Sequence, residues 1–207
     1  MANLITFKKT AFVTSILSLV SKYIDTFPGE ADGLSLLQEL LATADDGVGT
    51  RSYLPGHLTA GGLIVDWQQQ AVLLVHHRFL KKWLQPGGHL EGAEQPSEAA
   101  LRELVEEVGT IEIELNLWHL LESLPLDIGS HLIPPNTEKS EPAHYHHDFL
   151  YLFDLVEPGT VNLKVDEVTD FRWAKLTDLR HGSYGQRLQR VAQKIHNLGL
   201  IDTTASE

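Results

Sequence analysis

Apolar positions change their spacing part-way along the chain. Phe12, Ile16, Leu19, Tyr23 and Phe27 recur every three or four residues, with Ser15, Ser18 and Lys22 between them. That spacing predicts an amphipathic helix packed on a domain, ending near Pro28-Gly29. A second helix is expected over 34–41, stopping before Asp45-Asp46-Gly47, so residues 1 to about 45 read as helical. From 58 onward the pattern becomes that of strands. Residues 58–65 and 71–76 are apolar and β-branched around a polar 66–70, as in a strand pair. Residues 83–92 read as a loop rich in Gly and Pro. A helix follows over 96–108, with Pro96 in its first turn and Gly109 as its stop. Residues 111–124 alternate in part and read as strand, and 128–142, with three prolines, as an irregular surface loop. Strands are expected over 146–156 and 171–174. A closing helix over 186–198 carries Leu188, Val191, Ala192 and Ile195 on one face. Strands interspersed with helices imply an α/β or α+β sandwich.

Composition narrows the class. The 207 residues suit one domain, or one domain with an added element at an end. Hydrophobic residues make up 43% and charged residues 21%, ordinary for a chain that buries a full core. The net charge of −12 repels a nucleic-acid backbone, so no long nucleic acid is expected as partner. It still admits an anionic substrate where a bound cation inverts the local field. The absence of cysteine excludes disulfides, thiolate zinc sites and cysteine nucleophiles. No compartment follows from that alone; a cytoplasmic protein fits best. Lys8-Lys9 before the apolar run 11–20 resembles a signal peptide only loosely, since no small-residue cleavage site follows, and the run is too short to span a membrane.

The 96–108 helix carries the chemistry. At about 100° per residue, Ala100, Leu101, Leu104, Val105 and Val108 share a face expected to be buried. Glu103, Glu106 and Glu107 gather on the other side. Like charges at i, i+3 and i+4 repel, each pair by a few tenths of a kcal/mol, roughly. Arg102 offsets part of this by pairing with Glu106 or Glu98. A bound hard cation would relieve the rest, because Mg²⁺ favours carboxylate oxygens together with water and phosphate oxygens. Just upstream, Gly87 and Gly88 let the backbone approach a ligand closely, and loop carbonyls could complete a metal site. An acidic helix face alone is more often merely solvated. The coincidence of glycine loop, arginine and three glutamates in one window argues against that here.

This segment resembles the Nudix box, Gly-x5-Glu-x7-Arg-Glu-U-x-Glu-Glu-x-Gly-U, with U a bulky aliphatic. Gly88, Glu94, Arg102, Glu103, Leu104, Glu106, Glu107 and Gly109 match at the required spacing, and Thr110 stands where an aliphatic is expected. The resemblance implies a Nudix-like α/β/α sandwich around a mixed β-sheet. It would comprise residues 51–207, with residues 1–50 as an N-terminal helical extension packing on the domain. It also implies Mg²⁺ or Mn²⁺ bound by Glu103, Glu106, Glu107 and the Gly88 carbonyl. Arg102 would orient the carboxylates, Glu94 would be structural, and Glu103 or Glu167 would be the general base. The implied activity is cleavage of a phosphoanhydride bond in a nucleoside diphosphate linked to another moiety, such as a nucleotide, nucleotide sugar or ADP-ribose. The expected partner is a small phosphorylated metabolite or nucleotide, with no membrane and a homodimer as one arrangement. A catalytically silent nucleotide-sensing module is the alternative, disfavoured by the intact glutamates. An isoprenoid diphosphate isomerase is disfavoured by the missing cysteine.

Several other residues stand out. His144, His146, His147 and Asp148 crowd a strand entry, and alternation puts His144, His146 and Asp148 on one face. They could bind phosphate or a further metal, or form an ordinary polar strand entry. His89, inside the glycine loop, could touch a phosphate. Gly56-His57-Leu58-Thr59, His76-His77 and the run from Trp83 to Glu91 resemble one subgroup of the same family, which points to no particular substrate. Asp166-Glu167 precedes Phe171-Arg172-Trp173, where a loop acid would lie near the site. Trp83, Trp118 and Trp173 could stack on a base, although core packing is commoner for tryptophan.

Overall fold

The computed structural model describes residues 10–109, 111–137, 140–157, 159–164 and 167–200. Thr110 and Asp166, both singled out in the sequence, lie outside these, as do Lys8-Lys9.

The chain opens with helix α1 (Ala11–Thr26), whose N-cap Thr10 accepts from the Val13 N–H, and helix α2 (Ser35–Thr43). Two 3-10 turns, Pro28–Leu34 and Asp46–Gly49, follow α1 and α2 in turn. Strands β1 (Gly56–Asp66), β2 (Ala71–His77), β3 (Trp83–Leu84) and β4 (Gly87–His89) lead into α3 (Pro96–Val108). Then come β5 (Glu112–Leu115), α4 (Leu117–Glu122), β6 (Asp127–Ile133), β7 (His144–Glu157), β8 (Val168–Lys175), α5 (Leu176–Arg180) and α6 (Gln186–Asn197). The strands form one mixed sheet in the order β3-β2-β1-β7-β5, with β4 paired to β1, β6 to β7 and β8 to β2. Its centre is the long parallel pair β1–β7, in which His57 lies opposite His146 and Thr59 opposite Asp148.

Each sheet face carries its own core. Even-numbered β1 residues Leu58, Ala60 and Ile64 join α1, α2 and α3 in one cluster. Odd-numbered Leu63 and Val65 join α5 and α6 in the other. This is the expected α/β/α sandwich, produced by the two-residue period of the strands. The N-terminal helices share the first core with β1 and α3 through Ile16, Tyr23 and Leu37. No helix among the described residues is long and apolar enough to cross a membrane.

Four local expectations are corrected. Residues 111–124 are not one strand: β5 stops at Leu115, and Asn116 caps α4 by accepting from the Trp118 N–H at 3.0 Å. Its side-chain amide also donates to Asp154, fixing the cap on the sheet. Residues 128–142 are not all loop, because β6 pairs with β7 from Asp127–Leu150 to Ile133–His144. The prolines fall beyond the strand's end, where the missing N–H costs no ladder bond. Residues 83–92 contain β3 and β4, short strands held by β2 and β1. Finally, α3 is rotated from the expected orientation. Leu101 and Val105 are 43% and 50% exposed, whereas Glu103 and Glu107 are buried beside Ala99, Ala100, Leu104 and Val108.

Candidate active site

Helix α3 starts from a capping box in which the Gln95 N–H donates to Glu98 at 3.3 Å, with Pro96 in its first turn. It lies against β1 at very short range. A Cβ on Gly62 would stand 2.3 Å from Leu104 Cδ1, so only glycine admits the leucine there. This close seating carries the Glu103–Glu107 face over β4. A Cβ on Gly88 would lie 2.4 Å from Glu103 Oε1 and 2.6 Å from its Oε2. The missing side chain therefore lets the Glu103 carboxylate seat directly against the β4 backbone.

Arg102 organises the acidic groups. Its Nε and Nη2 donate to the two oxygens of Glu94 at 3.1 and 3.0 Å. Its Nη1 donates to Glu103 at 2.9 Å and Glu106 at 3.3 Å, and its Nη2 to the His89 carbonyl at 2.8 Å. Glu94 in turn accepts from the Glu91 N–H. One guanidinium thus ties the loop to the helix and aims two carboxylates. Lys164 reaches Glu106 at 3.4 Å, and its backbone N–H donates to the Glu107 carbonyl.

The electrostatics are those of crowded, half-dry carboxylates. Burial raises the Glu103 pKa against the pull of Arg102, and the charges of Glu106 and Glu167 raise it further. Burial, then the charges of Glu103 and Glu167, push Glu107 up to about 8. Glu107 is 4% exposed, and its Oε2 is buried without a hydrogen-bond partner. Such an orphaned acceptor is costly in an apoprotein. The donor set fits a hard divalent cation: oxygen ligands only, excess negative charge, and one carboxylate oxygen with nothing to bind. The field of Glu167 reaches this group from the loop before β8, where its carbonyl accepts from the Arg78 N–H.

The histidines singled out from sequence lie apart from the carboxylates in side-chain direction. His89, His144 and His146 gather with His57, all four within ring–ring distances of 4.8–5.1 Å of at least one other. Burial, followed by neighbouring rings, pushes His89 down to about 4 and His146 to about 2, and burial lowers His57. His57 was noted in the sequence but given no place in the site, because the parallel register that sets it opposite His146 is not readable from spacing. His147 points elsewhere, to the Ser130 hydroxyl at 2.8 Å. Trp83 lies beneath the Arg172 guanidinium at 3.6 Å, and Trp118 and Trp173 pack against the cores.

The chain is similar to several known proteins. A probable DHNTP pyrophosphohydrolase of Lactococcus lactis subsp. cremoris (strain MG1363) is 32% identical over 100 residues, 48% of this chain and 55% of that relative. The alignment thus spans about half the length of either protein. A NUDIX-family hydrolase structure from Clostridium perfringens superposes with a TM-score of 0.50 and 25% identity, over 69% of this chain and 97% of the other. A C. elegans Ap4A hydrolase structure gives a TM-score of 0.53 at 18% identity over 69% and 97%, a likeness of fold. The NUDIX domain family matches residues 55–195, from the turn before β1 into α6. The chain belongs to the NUDIX family.

Proposed function

We propose that this protein is a Mg²⁺- or Mn²⁺-dependent pyrophosphohydrolase. Its substrate would be a small molecule in which a nucleoside diphosphate or similar diphosphate is linked to another moiety. The observation that carries this reading is the buried pair Glu103 and Glu107, with one unpartnered Glu107 oxygen and the Glu103 carboxylate seated directly against Gly88. Glu103, Glu106, Glu107 and the Gly88 carbonyl are the proposed ligands. The ion, when bound, neutralises diphosphate charge and lowers the pKa of water. The protein's own groups do the rest. Arg102 holds Glu103 and Glu106 at fixed positions through its bonds to Glu94 and the His89 carbonyl, which limits reorganisation during the reaction. Either Glu103 or Glu167 takes the proton from the attacking water as the new P–O bond forms and the bridging P–O bond breaks. A carboxyl raised by burial suits the base role at neutral pH, which favours Glu103.

The activities named for the similar proteins make DHNTP and Ap4A natural members of a substrate panel, alongside nucleotide sugars and ADP-ribose. Phosphate and nucleotide release across that panel, with Mg²⁺ or Mn²⁺, tests the proposal in wild type and Glu107→Gln. Metal-dependent turnover of one class, reduced about a hundredfold or more in Glu107→Gln, is expected. Nucleotide binding with no turnover of any member would instead indicate a sensing module.

A further inference from the structure

The four clustered histidines have a different chemistry from the glutamates. His57 on β1, His89 on β4 and His146 on β7 each offer a ring nitrogen, and the three lie within 4.8 Å of one another. Strand pairing fixes this: His57 lies opposite His146, and His89 opposite Thr59, two residues along β1 from His57. His57 is fully buried and its Nδ1 lies 3.2 Å from the Tyr53 carbonyl. That carbonyl requires the proton on Nδ1, which leaves Nε2 as a bare acceptor. This Nε2 is buried with no hydrogen-bond partner. His144 repeats the arrangement, its Nδ1 held by the Pro142 carbonyl at 2.8 Å and its Nε2 3.2 Å from His146 Nε2. A ring tied to a carbonyl through one nitrogen and presenting the other is the usual condition of a metal-bound histidine. The same condition argues against phosphate at His57, which presents a lone pair where phosphate needs a donor.

We propose that His57, His89 and His146 bind one borderline divalent transition ion, Zn²⁺ first, separate from the hard-cation site on α3. Imidazole suits such ions, whereas Mg²⁺ takes oxygen ligands. Zn–N bonds of about 2.0–2.1 Å in a tetrahedron set ligand atoms roughly 3.3 Å apart. The ring nitrogens of His57, His89 and His146, all within 4.8 Å of one another, would close to that spacing on binding. His144 also lines a cavity of about 450 Å³ with Arg51, Leu54 and Pro142, which provides an entry path. The ion would clamp β1, β4 and β7 together at one end of the sheet. It would thereby fix the backbone of β4, where Gly88 precedes His89 and the His89 carbonyl accepts from Arg102. This inference does not depend on the substrate or on turnover.

The test uses the full chain, stripped with a chelator and titrated with Zn²⁺ in saturating Mg²⁺, which holds the carboxylates. One Zn²⁺ per chain is expected, with a rise in melting temperature on binding. Glu106→Gln should bind Zn²⁺ as wild type does. His57→Ala should weaken binding by more than the 10- to 100-fold, roughly, that outer-shell changes cause. X-ray absorption on Zn²⁺-loaded wild type, which needs no variant to fold, should show three imidazole nitrogens. Absence of stoichiometric binding, an oxygen-only shell, or unaltered affinity in His57→Ala would each overturn the proposal.

Discussion

At Gly88 the functional requirement is an absence. The Glu103 carboxylate occupies the volume where any side chain would begin, 2.4 Å from the nearest Cβ position. Gly88→Ala should therefore leave the strand paired but displace that carboxylate. A shift near 1 Å in a catalytic group costs about a hundredfold in rate. The expected result is a kcat lower by about that factor, with a far-UV spectrum and melting temperature close to wild type. A loss of stability matching the loss of rate would assign Gly88 to folding instead. Arg102 shows the complementary case, a residue defined by how many groups it touches. Its five donors meet Glu94, Glu103, Glu106 and the His89 carbonyl, a fork that the point charge of lysine does not reproduce.

At the scale of elements, the seating of α3 on β1 decides where the glutamates go. The helix buries two carboxylates while exposing Leu101 and Val105, which its own hydrophobic pattern opposes. Gly62 permits that seating by admitting Leu104 into the space of a side chain. Gly62→Ala should push the helix off the sheet, destabilise the fold by about 1–3 kcal/mol as overpacking does, and raise the metal concentration needed for activity. Adding Leu104→Ala should recover part of both losses, measured by denaturant titration and metal-dependent turnover. An equal, additive loss in the double variant would show that the two residues are not in steric conflict.

Over the whole molecule, one buried polar network joins the N-terminal helices to the last helix. Lys194 of α6 donates to Tyr23, Glu30, the Leu126 carbonyl and Asp127. Asp127, fully buried, also receives Arg187 and Arg190. Burial would raise the Asp127 pKa, but these cations hold it below the usual carboxylate range. Its stabilisation is therefore present above pH 4 or so and lost as pH falls through the native pKa. His119 acts over a higher window. Its buried neutral ring accepts the Leu152 N–H at 2.8 Å, and burial pushes it down to about 4. In the unfolded chain the ring takes its proton near pH 6.5, so this contribution is full above that and declines toward pH 4. It is on the order of 3 kcal/mol. The half-buried rings of His89 and His146 and the buried ring of His147 add in the same direction. Glu107, raised to about 8, opposes this histidine stage, because its contribution grows as pH falls from 8. Calorimetry from pH 7.5 to 3 should therefore read the two stages, histidine first and Asp127 second, as differences between wild type and variants. His119→Gln should flatten the first stage in part, and Asp127→Asn the second. Asp127→Asn should also cost about 3–5 kcal/mol at pH 7, as for a broken buried ion pair. A pH dependence between 6.5 and 4 that is the same in His119→Gln as in wild type would contradict the assignment.

The sequence by itself determined what depends on local spacing. The boundaries of α3 followed from Pro96 and Gly109, and β1 and β2 from their apolar runs. The grouping of Gly88, Arg102, Glu103, Glu106 and Glu107 followed because all of it lies within one short segment, from β4 through α3. Tertiary structure decided what depends on partners distant in sequence. Residues 128–133 became strand only because β7 lay alongside to complete their ladder, and Asn116 ended β5 by capping a helix while binding Asp154. The buried face of α3 was fixed by the hole at Gly62, which outweighed the helix's own hydrophobic stripe. The histidine cluster was least legible of all. His57, His89 and His146 are far apart along the chain, and only the register of three paired strands brings their nitrogens within 4.8 Å.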